Sequence, residues 1–257
     1  MNEIDVAVVG AGPIGLELAV ALKQAGISFT QFDAGQPGQT IRWFPYQSRF
    51  FSSPERIALA DVPLNTVDQT KATREEYLTY LRGIVQQFDL EIRGHTRITR
   101  LAPLPEGGFE LTAQRVAPAP GGPGEEMAAP SRPMDEAPVI WRARRVVLIT
   151  GDMARPRRLN IPGENLPHVS HYFREPHDHF RRRLLIVGGK NSAVEAAIRC
   201  HRAGAEVTIS HRREAFNPKS VKYWLLPEIE GFIRNGHIRY LPLTVPEENT
   251  ATDVALR

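Results

Sequence analysis

Two glycine-rich segments contain the residues best suited to binding a dinucleotide. The first is Gly10-Ala11-Gly12-Pro13-Ile14-Gly15, whose glycines have the G-x-G-x-x-G spacing. In this pattern the first glycine permits a tight turn, the second lets a pyrophosphate approach the backbone, and the third lets a helix pack closely on a strand. A helix that begins near Pro13 presents free N–H groups to the phosphates.

An acidic residue follows this turn at the distance that a ribose contact requires. Asp33 lies 21 residues after Gly12, at the end of the next predicted strand. A carboxylate there accepts hydrogen bonds from ribose hydroxyls and repels a ribose 2′-phosphate. The first segment therefore predicts a site for FAD or NAD rather than for NADP.

The second segment, Gly188-Gly189-Lys190-Asn191-Ser192-Ala193, departs from the fingerprint. Lys190 stands at the middle glycine position, where its ammonium either faces a pyrophosphate or crowds it. Where an NAD site has an acid, this chain has His211-Arg212-Arg213. Because guanidinium groups bind a 2′-phosphate through charge-assisted hydrogen bonds, we expect NADPH here.

One acidic and one basic ribose site predict a flavin and a nicotinamide in the same chain. A hydride then passes from NADPH to FAD, and the electrons pass onward to an acceptor.

The elements around both segments repeat the same pattern of strand, turn, helix and strand. The strands are predicted over residues 4–9 and 28–32 in the first unit and over 184–187 and 205–210 in the second, with helices over 16–24 and 194–202. The predicted fold class is α/β, with two Rossmann-like dinucleotide-binding domains. We place the FAD-binding domain at residues 1–152 and the NADPH-binding domain at residues 153–257.

Two further segments have clear local signals. Thr73 and Glu76 predict a capping box before a helix over residues 74–87. Residues 117–138 contain six prolines and three glycines without apolar periodicity, so we expect a mobile insertion between two strands.

Composition excludes several classes of protein. The 257 residues are 42% apolar and 24% charged with a net charge of +3, which is unlike a disordered chain and gives nucleic-acid binding no support. No apolar run approaches the ~20 residues of a membrane span, and the first residues lack the basic start of a signal peptide. The single cysteine, Cys200, excludes an internal disulfide and a Cys-x-x-Cys pair. We expect a cytoplasmic protein.

Other groups of chemically active residues favour ordinary explanations. Cys200 continues a helical stripe of Ala193, Ala196 and Ala197, which predicts a buried thiol. The four histidines between residues 168 and 179 lack the spacing of metal ligands, so we expect no metal site. The arginine groups at 155–158 and 181–183 fit a solvated rim better than a nucleic-acid surface.

Five stretches of the sequence resemble a known family, the bacillithiol-disulfide reductases. The stretches are residues 9–15, Phe50-Phe51-Ser52-Ser53-Pro54-Glu55, Ile161-Pro162-Gly163-Glu164-Asn165-Leu166-Pro167, His171-Tyr172-Phe173 and Gly188-Gly189-Lys190-Asn191-Ser192. The family consists of thioredoxin-reductase-like, FAD-dependent NADPH oxidoreductases, so the resemblance implies electron transfer to a disulfide or another small acceptor. It implies that FAD is held by Gly10, Gly12, Gly15 and Asp33, with Gly151 near the flavin. It implies that NADPH is held by Gly188, Gly189, Lys190, Asn191, Ser192, Arg212 and Arg213.

The sequence departs from this family in two places. Members often carry a cysteine within the first glycine turn, where this chain has Ile14, so we expect no direct thiol chemistry and assign no catalytic residue. In the family the chain returns to complete the FAD domain, whereas this sequence stops at Arg257. We therefore expect a shortened chain or fragment that holds FAD weakly.

Two alternative functions stay open at this point, as does assembly into a homo-oligomer. One is a flavin-dependent monooxygenase, although residues 171–175 lack the glycine of the Phe-x-Gly signature. The other is a non-catalytic nucleotide-binding or redox-sensing module.

Overall fold

The chain forms two compact units. The computed structural model describes residues 2–118, 133–153 and 156–257. Unit 1 is Met1–Arg155 and unit 2 is Pro156–Arg257. Each glycine turn predicted from the sequence lies within one unit.

Unit 1 is built on a six-stranded sheet. Its strands are β1 (Asn2–Val9), β2 (Phe29–Phe32), β3 (Ile92–Arg93), β4 (Thr96–Pro103), β5 (Phe109–Arg115) and β6 (Val139–Leu148), in the order β3-β2-β1-β6-β5-β4. The first four in this order run parallel, and β5 and β4 continue the sheet antiparallel. The central strand β1 buries Val6, Ala7 and Val8, as expected of a parallel strand covered on both faces.

Four helices accompany this sheet. They are α1 (Pro13–Gln24), α2 (Gln39–Arg42), α3 (Pro54–Ile57) and α4 (Arg74–Gln87). Helix α1 buries Leu16, Ala19 and Val20, while Ile14 in its first turn is 71% exposed. The predicted β-α-β unit is confirmed, and its helix presents Ile14 to solvent.

Helix α4 begins with the predicted capping box. The Thr73 hydroxyl accepts a hydrogen bond from the Glu76 N–H, and the Glu76 carboxylate accepts one from the Thr73 N–H at 2.8 Å. This reciprocal pair satisfies two N–H groups that the helix itself leaves free. The boundaries of the helix, Arg74–Gln87, are those predicted.

In the antiparallel part of the sheet, the sequence predicts only the two strands that flank the insertion at residues 117–138. Strand β4 has few buried side chains and lies at the sheet edge, so its sequence carries little apolar alternation. Strands β5 and β6 pair antiparallel, which places the predicted insertion in a hairpin connection. Residues 119–132 of that insertion lie outside the described residues.

Unit 2 repeats the parallel arrangement on a smaller scale. Its strands β7 (Arg183–Val187), β8 (Glu206–His211) and β9 (Arg239–Pro242) are parallel in that order. Helices α5 (Asn191–Arg202) and α6 (Leu226–Arg234) connect them, and β10 (Pro246–Asn249) pairs antiparallel with β11 (Val254–Leu256). The second predicted β-α-β unit is therefore confirmed.

The helices of both units are short or polar. Within the described ranges, none combines the length and apolar character needed to cross a membrane.

Candidate functional site

The first glycine turn begins at Gly10, a position that only glycine can occupy. Gly10 has a φ of +121°, and a Cβ added there would overlap the carbonyl oxygen of Ile149. The Gly10 N–H donates a 2.7 Å hydrogen bond to the carbonyl of Phe32, the last residue of β2. This bond fixes the turn at the carboxyl ends of β1 and β2.

At the other two positions of the turn, Gly15 and Gly12, glycine is favoured for different reasons. A Cβ at Gly15 would overlap the Gly10 carbonyl oxygen, so this glycine allows α1 to approach the turn. A Cβ at Gly12 would meet no atom within 4 Å, although its φ of −73° is ordinary. Gly12 therefore faces a space that a ligand can occupy, and the pyrophosphate contact at this position stays a prediction.

The start of α1 offers unpaired backbone donors to that space. Gly12 is the N-cap and makes no side-chain capping bond, and Pro13 has no N–H to satisfy. The first hydrogen bond of the helix is Leu16 N–H to Gly12 carbonyl at 2.9 Å, which leaves the N–H groups of Ile14 and Gly15 without an intrahelical partner. These groups and the helix dipole suit an anion.

Asp33 lies directly after β2 and is bonded to the turn itself. Its Oδ2 accepts a 2.6 Å hydrogen bond from the Ala11 N–H, and its Oδ1 accepts one of 2.7 Å from the Gly35 N–H. Burial raises the pKa of Asp33, and these two bonds oppose only part of that rise. Each carboxylate oxygen keeps a second acceptor position, so the predicted contact to a ribose hydroxyl is chemically available.

Sequence reasoning missed Gln31, which also contacts this turn. Its side chain is fully buried on β2, and its Nε2 donates a 2.8 Å hydrogen bond to the Gly10 carbonyl oxygen. The signal in the sequence is one amide in the short strand that precedes Asp33, between Thr30 and Phe32. Only the folded structure shows that this amide reaches the turn.

Gly151 lies at the same sheet edge. The Ile149 N–H donates a 2.8 Å bond to the Val9 carbonyl, which keeps the segment after β6 beside the end of β1. Gly151 has a φ of +71°, and an added Cβ would meet no atom within 4 Å. Strand β1 pairs with β2 on one side and with β6 on the other, so the strand order reverses here, and open α/β sheets bind ligands at such a point.

In unit 2, the second glycine turn has the same backbone plan. Gly188 has a φ of +142°, and its N–H donates a 3.0 Å bond to the Ser210 carbonyl on β8. A Cβ at Gly189 would overlap the His211 ring. Gly188 and Gly189 therefore shape the turn and make room for His211.

The polar residues of the second turn have separate roles. Lys190 is the N-cap of α5 and its side chain is exposed, as is that of Ser192. The Asn191 Oδ1 accepts a 2.8 Å hydrogen bond from the Lys222 N–H, so it anchors the loop before α6. The Asn191 amide group retains its N–H donors for a ligand.

The basic residues after β8 divide into one buried ring and two exposed guanidinium groups. His211 is buried, its Nδ1 lies 2.8 Å from the Tyr240 hydroxyl, and its ring stacks on Phe216 at 5.5 Å. Burial lowers the pKa of His211, and the charges of Arg213 and Arg212 lower it further. Arg212 and Arg213 are exposed and available to a phosphate.

The thiol of Cys200 is buried in the core of unit 2, as predicted. The residue has no exposed surface, and burial raises the pKa of its thiol to about 11, although the Arg199 charge opposes the rise. A thiol with this pKa is protonated at neutral pH and is a poor nucleophile.

The histidines between residues 168 and 179 have no shared geometry. His171 Nε2 lies 3.0 Å from the Glu164 Oε1, and Glu164 also accepts bonds from the Leu159 and Asn160 N–H groups. Across the part of the chain that the structure describes, no group of three or more His, Cys, Asp or Glu residues could hold a metal ion.

Comparison with known proteins gives the family of the chain. The sequence matches the pyridine nucleotide-disulphide oxidoreductase family over residues 7–117 and 139–255. It is 30% identical over 250 residues to bacilliredoxin reductase Bdr of Bacillus subtilis, covering 97% of this chain and 69% of that protein.

Solved structures give the same relationship. The bacillithiol disulfide reductase Bdr from Bacillus cereus superposes with a TM-score of 0.88 at 30% identity, over 100% of this chain and 72% of that one. A flavin-containing monooxygenase from Stenotrophomonas maltophilia has a TM-score of 0.72 at 20% identity, over 100% and 76% of the two chains. At that identity the second likeness shows a shared fold alone.

Proposed function

The chain belongs to the pyridine nucleotide-disulphide oxidoreductase family and is an FAD- and NADPH-dependent flavoprotein oxidoreductase. We propose which residues of the chain bind each of these two cofactors. Unit 1 holds FAD and unit 2 holds NADPH. The observation that carries this assignment is the opposite charge after two similar turns, Asp33 after β2 and Arg212-Arg213 after β8.

The first turn holds the FAD pyrophosphate through its backbone. The N–H groups of Gly12, Ile14 and Gly15 donate to the phosphates, and the helix dipole of α1 favours their charge. Asp33 accepts hydrogen bonds from the ribose on its free acceptor positions. The space above Gly151 leaves room for the flavin end of the cofactor.

The second turn holds NADPH through charge as well as backbone. The free N–H groups at the start of α5 and the exposed Lys190 and Ser192 bind the pyrophosphate. Arg212 and Arg213 bind the 2′-phosphate, which distinguishes NADPH from NADH. Asn191 contributes by holding the loop that contains Lys222.

The two cofactors supply hydride transfer and the residues supply orientation. We propose that the final acceptor is a low-molecular-weight disulfide, and the name of the Bacillus cereus relative describes that protein as a bacillithiol disulfide reductase. The only cysteine of the chain is the buried Cys200, so the acceptor is reduced without a thiol of this chain. This scarcity of cysteine also supports our proposal of a cytoplasmic location.

Anaerobic reduction followed by reoxidation tests this function. Addition of NADPH to the FAD-loaded chain is expected to bleach the flavin absorbance, and NADH is expected to do so far more slowly. A small disulfide added next should restore the colour and release two thiols for each NADPH consumed. Recovery only with oxygen would favour a monooxygenase, and a folded protein that binds neither cofactor would contradict the proposal.

A further inference from the structure

Gln31 is a polar side chain at a buried position, where an apolar side chain is the usual choice. It is fully buried on β2 beside Phe32, which is also fully buried. Its Nε2 donates to the Gly10 carbonyl oxygen at 2.8 Å, while its Oε1 has no hydrogen-bond partner among the described residues. Exchanging the two amide atoms would place two oxygens 2.8 Å apart, so the nitrogen faces Gly10.

The unpaired oxygen of Gln31 reduces stability. Burying an amide oxygen without a donor is unfavourable, and an apolar side chain of the same size avoids this. A residue that served only the packing of unit 1 would not need an amide. The contact to Gly10 is therefore the feature to explain.

The contact with Gln31 is one of four hydrogen bonds that hold the Gly10-Ala11 backbone in place. The Gly10 N–H donates to the Phe32 carbonyl, the Ala11 N–H donates to Asp33 at 2.6 Å, and the Ala11 carbonyl accepts from the Gly38 N–H at 3.0 Å. With Gln31 on the Gly10 carbonyl, all four polar atoms of these two residues are paired. The next backbone donors along the chain are those that face the space at Gly12.

Gln31 also lies where the turn meets the first turn of α1. The ideal Cβ position of Gly15 is 3.1 Å from the Gln31 Nε2 and overlaps the Gly10 carbonyl oxygen. The amide thus holds a carbonyl whose position decides how closely α1 approaches β2. A shift of this carbonyl would move the N–H groups of Ile14 and Gly15.

We propose that Gln31 is a positioning residue of the FAD site, which raises affinity by holding the Gly10 carbonyl and does not touch the cofactor. The inference rests on the proposed function, namely that the first turn binds FAD. A turn that is ordered before binding loses less conformational freedom when the cofactor arrives, so affinity is higher.

The replacement Gln31→Met tests this directly, because methionine has a similar length and no hydrogen-bond donor. Methionine removes the unpaired Oε1 but leaves the Gly10 carbonyl oxygen without its donor, so the melting temperature of the apoprotein is expected to change little, while the Kd for FAD, measured by fluorescence quenching, increases about tenfold. Hydrogen exchange of the bonded amides of Gly10, Ala11 and Leu16 in the apoprotein should become faster. A matched control is Gln114→Met, which removes another buried glutamine of unit 1, one bonded to the carbonyls of Met134 and Glu136.

The replacement Gln31→Glu supplies a pH-dependent rescue. A protonated carboxyl group can donate to the Gly10 carbonyl, whereas the ionised form cannot donate and repels the phosphates. The Kd of this variant, divided by that of the wild type at the same pH, should fall towards 1 as the pH decreases. Asp33 and the nearby His95 are present in both proteins, so the ratio at each pH compares two proteins that differ only at position 31.

The outcomes separate this inference from the function on which it rests. A Gln31→Met protein with a wild-type Kd, or one that loses stability and affinity in parallel, would show a structural residue and overturn the inference alone. A ratio that stays constant with pH for Gln31→Glu would do the same. A folded wild-type protein that does not quench FAD fluorescence would overturn the FAD assignment, and the role of Gln31 with it.

Discussion

The two glycine turns share a backbone plan but differ in what completes it. Each begins with a glycine at positive φ, Gly10 at +121° and Gly188 at +142°, whose N–H bonds to the following strand. Each N-cap residue is extended, with ψ near 180° at both Gly12 and Lys190. The backbone of the second turn is therefore compatible with a lysine side chain at position 190. Whether the Lys190 ammonium faces a pyrophosphate or crowds it depends on its side chain and not on this backbone.

The third glycine position of the fingerprint shows that the helix packs more closely on the turn in unit 1 than in unit 2. Gly15 has no room for a Cβ because the Gly10 carbonyl occupies that place. The second turn has Ala193, whose Cβ lies 3.1 Å from the ideal Cβ position of Gly188. One turn is held by close backbone contact and the other tolerates a methyl group.

The residues that we propose to select the nucleotide differ in the same way. Asp33 is half-buried and held by two backbone N–H groups, whereas Arg212 and Arg213 are exposed to solvent. If the proposed assignment holds, the first site is largely formed before its ligand binds, whereas the second depends on exposed side chains. Substitutions in the first turn should therefore have the larger effects.

The largest effect is expected for Gly15→Ala. The added Cβ overlaps the Gly10 carbonyl, so α1 must move away from β2, with a loss of ~1–3 kcal/mol in stability. We expect FAD binding to weaken by more than about 100-fold, or roughly 3 kcal/mol. Titration of the apoprotein by fluorescence quenching measures this.

The matching change in unit 2 is Ala193→Gly. It should cost at most ~1 kcal/mol, as expected for a glycine in a helix, and leave the Kd for NADPH within a few-fold. Equal losses of affinity in the two variants would show that the turns are packed alike, contrary to the comparison.

The double substitution Arg212→Ala with Arg213→Ala should have the next largest effect. Loss of two charge-assisted contacts to the 2′-phosphate weakens NADPH binding by about 2–3 kcal/mol and leaves NADH binding almost unchanged. Binding of both nucleotides is measured by calorimetry. An unchanged ratio of the two affinities would remove Arg212 and Arg213 from the nucleotide site.

Gly12→Ala separates binding from folding at the first turn. Its φ of −73° suits alanine and the Cβ meets no atom, so the melting temperature should not change. The methyl group would occupy space that the pyrophosphate needs, and we expect the Kd for FAD to rise about tenfold. If the Kd is unaffected, the phosphates do not approach this glycine.

The sequence predicted the parts of these sites that depend on local spacing. Both glycine turns, their flanking strands and helices, and the Thr73–Glu76 capping box follow from residues close together in the chain. The contact of Gln31 with Gly10 and that of Asn191 with Lys222 join residues 21 and 31 positions apart. Such contacts depend on how the elements pack, and no local pattern records them.

Two carboxylates extend the comparison to acid conditions. Burial raises the pKa of Asp33 in unit 1. In unit 2, burial also acts to raise the pKa of Glu164, but hydrogen bonds from His171 and from the Leu159 and Asn160 N–H groups lower it to about 2. Glu164 therefore stabilises the folded state above its ordinary pKa of 4.5, and this contribution is lost as the pH falls towards 2.

The effect of Asp33 on folding stability has the opposite pH dependence, because its pKa is raised. Its contribution to the stability of the folded state is largest at low pH and declines as the pH rises above 3.8. Thermal unfolding at a series of acidic pH values, with hydrogen exchange to assign each unit, should show unit 2 losing stability as the pH falls. Glu164→Gln should flatten that dependence. An unchanged pH profile in this variant would mean that Glu164 is not the group responsible.

The smallest effect on activity is expected for Cys200, in the helix that follows the second turn. Neither turn contains a thiol, since Ile14 occupies the first and Cys200 lies in the core of unit 2 with its pKa raised to about 11. Cys200→Ser should therefore retain NADPH-dependent reduction of a quinone by the FAD-loaded protein, while the buried hydroxyl costs ~1–3 kcal/mol of stability. Cys200→Ala, which adds no polar group, controls for that loss. Complete loss of turnover in folded, flavin-loaded Cys200→Ser and Cys200→Ala would make this thiol catalytic, and unit 2 would then supply electron-transfer chemistry as well as a nucleotide site.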